Sequence, residues 1–90
     1  MSVASTMTEK LTAAFRPTRL QVVDESHQHA GHVGSRPGGE THFAVVIVSD
    51  TFTGKSRVER QRLVYAVLAD ELAGPVHALS VKAQTAAEAG

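Results

Sequence analysis

Apolar residues follow several distinct rhythms along the chain. Met7, Leu11 and Phe15 recur at helical intervals. Thr6 and Glu9 have capping-box spacing just ahead of them, so a first helix is expected to open there. Pro17 disfavours helix at the residue before it, and the helix should stop near Arg16. Leu20–Glu25 is a short β-leaning run centred on Val22 and Val23. Thr41–Ser49 carries Phe43, Val45 and Ile47 on one side and Ala44, Val46 and Val48 on the other. Apolar residues on both sides predict the central strand of a sheet. Beyond Phe52 and Gly54, Ser56 and Glu59 form a second capping box, opening a long helix through about Leu72. Val64, Val67, Leu68 and Leu72 give that helix its buried stripe. Gly74-Pro75 stops it, Val76–Lys82 reads as a third strand, and Thr85–Gly90 as a tail framing a last helical turn.

The element order is helix, strand, strand, helix, strand. A loop joins the first two strands, which predicts an antiparallel pair. A helix joins the second and third, which predicts a right-handed parallel crossover. The expected fold class is α/β of the α+β type: a two-layer αββαβ arrangement, with helices on one face of a three-stranded mixed sheet. A length of 90 residues allows one domain, 1–90, with 1–6 and 84–90 expected to be flexible. Ser26–Glu40, with three histidines, four glycines and a proline, is a long loop, and long loops tend to be functional. It leaves and returns at one edge of the sheet, where the third strand also begins. His27, His29, His32, His42 and His77 should therefore crowd one end of the molecule, with Lys55, Arg57 and Arg60 at the other.

Composition narrows the chemistry. Nine basic and nine acidic residues balance, so no global field draws the chain to nucleic acid or anionic lipid. There is no cysteine, hence no disulfide framework and no thiolate metal site. The chain cannot hold an iron–sulfur cluster alone by thiolate ligation. The apolar run Ala44–Val48 is far too short to span a bilayer. Met1–Thr8 lacks the basic and apolar regions of a signal peptide, and a soluble cytoplasmic protein is expected.

Neutral imidazole ligates zinc, copper, nickel and iron, and His27, His29 and His32 lie close enough on one loop to reach a common ion. By spacing alone, solvated loop histidines explain them equally well. His42 begins a buried strand and is expected to be structural. His77 stands where a chain break meets a strand start, which holds a side chain firmly yet leaves it reachable. Gly54-Lys55-Ser56 looks like the end of a P-loop, but Ser49 stands where the motif needs glycine. Lys55, Arg57, Arg60 and Arg62 against Glu59 give a local charge of +3, able to hold phosphates independently of sequence; a solvated helix face is the plainer explanation. No nucleophile sits beside a base with a third orienting group, so no enzyme is expected.

Several runs together resemble the BolA family. They are Leu20-Gln21-Val22-Val23-Asp24-Glu25-Ser26, the histidine–glycine loop, Glu40-Thr41-His42-Phe43 and Val46-Ile47-Val48-Ser49. Phe52-Thr53-Gly54, Arg57-Val58-Glu59-Arg60 and Pro75-Val76-His77-Ala78-Leu79-Ser80 continue the series, and the likeness covers about Leu11 to Thr85. The resemblance implies a type II KH-like fold and a monothiol glutaredoxin partner. It also implies a [2Fe-2S] cluster shared with the glutaredoxin cysteine and glutathione, with none expected in the isolated protein. The implied ligands are His77, from the Val-His-Ala segment, and a loop residue. His32, in the Ala30-Gly31-His32 step, matches that residue best, with His29 the alternative. Imidazole in place of thiolate raises a cluster's potential and makes ligation sensitive to protonation. The expected output is iron sensing or cluster trafficking. Some members are described as transcriptional regulators, which keeps DNA open as a partner through the basic set. Two departures are Arg60-Gln61-Arg62, where the family often has Arg-His-Arg, and the absence of the KH Gly-x-x-Gly signature after Gly54.

Overall fold

The computed structural model describes residues 2–25 and 41–89. The loop Ser26–Glu40, with His27, His29 and His32, lies outside the described residues.

Helix α1 spans Val3–Phe15. Its N-cap is Ser2, whose hydroxyl accepts from the Ser5 N–H at 3.0 Å, rather than Thr6. Thr6 has the right spacing from Glu9, but its hydroxyl donates back to the Ser2 carbonyl within the first turn. Helix therefore takes in residues 3–6, one turn ahead of the start that Thr6 and Glu9 predict. Met7, Leu11 and Phe15 are its buried stripe, as their spacing requires. Ahead of Pro17, Arg16 ends the helix in the left-handed region at φ 45°. The buried Ser49 hydroxyl satisfies the last carbonyl, donating to Phe15 at 2.7 Å.

Strand β1 is Arg19–Asp24 and β2 is His42–Val48; they pair antiparallel, with Val22 opposite Val45. A short 3-10 helix, Asp50–Phe52, follows β2 and drives the Phe52 ring into the core. Gly54 turns the chain at φ 78°, in the region glycine enters without strain. The Ser56–Glu59 capping box then opens α2, with both reciprocal hydrogen bonds formed. The expected single long helix is two: α2 is Arg57–Val67 and α3 is Ala69–Ala73. The break falls at Leu68, where the backbone leaves helical angles (φ −101°, ψ 20°) while the side chain is fully buried. Strand β3 is Ala78–Gln84, pairing parallel with β2, so β2 is central in the order β1-β2-β3. It starts two residues later than the pattern suggests: Val76 is buried in the core, and its N–H donates to the Glu71 carbonyl, not to β2. Helix α4, Ala86–Ala89, supplies the last turn. Thr85 and Glu88 cap it reciprocally: the Thr85 N–H donates to Glu88 Oε1 at 2.9 Å, and the Glu88 N–H donates to Thr85 Oγ1 at 3.3 Å.

One core joins the layers: Met7, Leu11 and Phe15 from α1, Phe43, Val45 and Ile47 from β2, Val64 and Leu68, with Phe52 and Val76 from the connections. The outer edge of β3 is dressed by α2. The backbones of Ala78 and Gln84 face β2, so by alternation residues 79, 81 and 83 face away. Tyr65 donates its hydroxyl to the Leu79 carbonyl at 2.9 Å, and Arg60 donates to that of Ala83 at 3.1 Å.

Candidate functional site

Parallel pairing of β2 and β3 brings the starts of both strands to one end of the sheet. The Thr41 carbonyl accepts from the His77 N–H at 2.7 Å and from the Ala78 N–H at 3.2 Å. One residue earlier, the Val76 N–H donates to the Glu71 carbonyl at 2.9 Å. Glu71 is in turn fixed to α1 by Lys10, whose Nζ lies 2.7 and 3.0 Å from the two carboxylate oxygens. His77 thus has a backbone anchored on both sides and an exposed imidazole. Its ring stacks beside that of His42, with centroids 6.3 Å apart and planes inclined by 28°. His42 is half-buried, and its Nδ1 is hydrogen-bonded to the Thr41 hydroxyl at 2.8 Å. That is the local bond expected of a structural histidine. The Glu25 N–H donates to the His42 carbonyl at 2.8 Å, and the Thr41 carbonyl accepts from His77, so the two residues that flank 26–40 both lie beside this pair. Among the described residues, no group of three or more His, Cys, Asp or Glu is placed to hold a metal ion. His42 and His77 thus set two imidazoles side by side at this end of the sheet.

The basic set lies at the other end of β3. Lys55, Arg57 and Arg60 line a groove of about 680 Å³ together with Gln61, the Val81–Gln84 stretch and Glu88. Arg62 is exposed and does not line it. Arg60 is not a free cation. Its Nε donates to the Lys55 carbonyl at 3.0 Å, and its terminal nitrogens grip Glu88 at 2.6 and 3.0 Å as well as the Ala83 carbonyl. The Arg60 hydrogen bonds hold the Glu88 carboxyl down at about 2, with a smaller contribution from the Thr85 N–H. The sequence reading passed over Lys82, and also Glu88, which Thr85-Ala86-Ala87-Glu88 signals by capping-box spacing. No described helix is long and apolar enough to cross a membrane.

Comparison with known proteins bears on the whole arrangement. The family described as BolA-like protein matches residues 11–88. The chain is 47% identical over 88 residues to the "DNA-binding transcriptional regulator BolA" of Escherichia coli, covering 98% of this chain and 80% of that protein. It is 52% identical over 84 residues to the "SufE-like protein 1, chloroplastic/mitochondrial" of Arabidopsis thaliana, covering 89% of this chain but only 23% of that longer protein. The solved BolA domain of Arabidopsis SufE1 superposes with a TM-score of 0.88 at 50% identity, over 98% of this chain and 96% of that one. Matched over nearly its whole length in sequence and in fold, the chain belongs to the BolA family.

Proposed function

We propose that the chain is a cytoplasmic, non-enzymatic adaptor that binds a monothiol glutaredoxin. In this reading it contributes histidine to a [2Fe-2S] cluster whose other ligands are the glutaredoxin cysteine and glutathione. The observation that carries the reading is His77, an exposed imidazole on a backbone fixed by the 2.7 Å hydrogen bond to Thr41. Family membership supports iron–sulfur biology and glutaredoxin partnership in general terms, and BolA-like proteins are non-catalytic. The donor chemistry suits a shared cluster and not a resident one, since the chain has no cysteine and thiolates would have to come from a partner.

His77 is the proposed ligand from the strand start. His32 is the proposed loop ligand, with His29 the alternative; the residues flanking 26–40, Glu25 and Thr41, lie beside the His42–His77 pair. Bound there, the cluster supplies an iron with imidazole ligation, of higher potential than an all-thiolate site and released by protonation. The chain's own contribution is orientation: His42, tied to the Thr41 hydroxyl, flanks one side of the His77 ring.

The test is to mix the protein with a monothiol glutaredoxin carrying a glutathione-ligated cluster, and to record visible absorbance and circular dichroism. A new spectrum that disappears in His77→Ala is expected, with His32→Ala altering it more than His29→Ala. An unchanged spectrum in His77→Ala would refute the ligand assignment.

A further inference from the structure

The groove at the far end of β3 is independent of the histidine pair, about 20 Å away along a seven-residue strand. Four basic residues, Lys55, Arg57, Arg60 and Lys82, line it against a single acid, Glu88, a net charge of +3 in a chain whose total is zero. Among the described residues, Lys55, Arg57 and Lys82 form no ion pair; the pairs are Lys10 with Asp70 and Glu71, and Arg60 with Glu88. The volume of about 680 Å³ falls within the ~300–1,000 Å³ typical of small-molecule sites.

The occupant's chemistry is marked by a group already in place. Glu88 presents both carboxylate oxygens to the Arg60 guanidinium, the two-pronged geometry in which arginine also receives phosphate. We infer that this groove binds a small molecule bearing several phosphate charges, which displaces Glu88 from Arg60 while Lys55, Arg57 and Lys82 neutralise the remainder. Two observations favour a small ligand over a nucleic-acid strand. Arg62, the next base along α2, lies off the groove, so the charge does not continue as a track. Phe15, Phe43 and Phe52 are buried, and the one exposed aromatic, Tyr65, is tied through its hydroxyl to Leu79. Single-strand binding sites rely on aromatic platforms for stacking, and this surface has none to spare.

The experiment is an amide NMR titration of the intact protein with pyrophosphate, with short duplex and single-stranded DNA as comparators. Saturable shifts are expected at Gln61 and Val81–Gln84. The doubly substituted Lys55→Ala/Arg57→Ala protein, whose fold is checked by circular dichroism, should bind at least about tenfold more weakly. Glu88→Gln keeps a capping side chain on α4 but removes the competing charge, and should tighten binding by about three- to fivefold. The inference is overturned if millimolar pyrophosphate leaves the groove amides unmoved, or if the double substitution does not weaken binding. Weaker or unchanged binding by Glu88→Gln refutes the competition. Saturation by DNA alone, with shifts extending to Arg62, would make the surface a nucleic-acid interface instead.

Discussion

Replacing Phe52 with alanine probes how the fold is locked behind both surfaces. The side chain is fully buried, and its ring lies 5.1 Å from that of Phe15, tilted by 38°. Phenylalanine-to-alanine changes in a packed core cost about 3–5 kcal/mol, combining lost transfer energy with the cavity left behind. The upper part of that range is expected, because the surroundings are not free to collapse. The Phe52 N–H and carbonyl are both engaged, with Ser49 at 3.2 Å and Lys55 at 3.1 Å, and the Ser49 hydroxyl ties the same turn to α1. At roughly 0.05–0.15 kcal/mol per residue, a domain of this size holds about 5–13 kcal/mol in total. The variant should therefore keep about two-thirds of its stability at best, and almost none if the total lies at the low end. With a urea dependence of about 1 kcal/mol per molar for a small domain, its unfolding midpoint falls by about 3–5 M. A Phe15→Leu/Phe52→Leu cycle should also show a coupling of about 0.5–1.5 kcal/mol for the ring pair. A loss below about 1 kcal/mol for Phe52→Ala would refute the reasoning, since it would mean the site refills without a cavity.

Ser56→Ala removes the side-chain half of the α2 capping box and should cost about 1 kcal/mol, lowering the melting temperature by about 4–8 °C. Gly54→Ala meets no atom within 4 Å, so its cost is that of the positive φ alone, about 1–2 kcal/mol, measured by urea unfolding. The Glu88 carboxyl is depressed from 4.5 to about 2 by Arg60 and the Thr85 N–H. Its contribution to stability is therefore complete above pH 4.5 and is lost as pH falls through about 2. Side-chain NMR titration should place its midpoint near 2, and an ordinary midpoint would contradict the Arg60 pair.

Where the sequence read correctly, the signals were local. The apolar residues on both sides of Phe43–Val48, the Ser56–Glu59 box and Gly74-Pro75 each name an element or its end from its own residues. The order of elements then implies the mixed sheet and puts His42 and His77 at one end. Ambiguity arises where two local signals compete: Ser2 and Thr6 are both cap residues, and the helix begins at the earlier one. The rest is non-local. Nothing near Leu68 announces that the backbone leaves helical angles there. Arg60 reads as a solvated base because its partners, Ala83 and Glu88, lie 23 and 28 residues away. No periodicity encodes that contact.

The carbonyls of Leu79 and Ala83, held by Tyr65 and Arg60, bear on self-association. An unpaired outer strand is a template on which a second chain can add its own. Here the acceptors at both ends of the run are already occupied, so an incoming strand must first break two side-chain hydrogen bonds. Sheet-to-sheet polymerisation through β3 is thereby discouraged, even at the high local concentrations met during synthesis. Copies of this protein are thus kept from extending one another's sheet at the β3 edge.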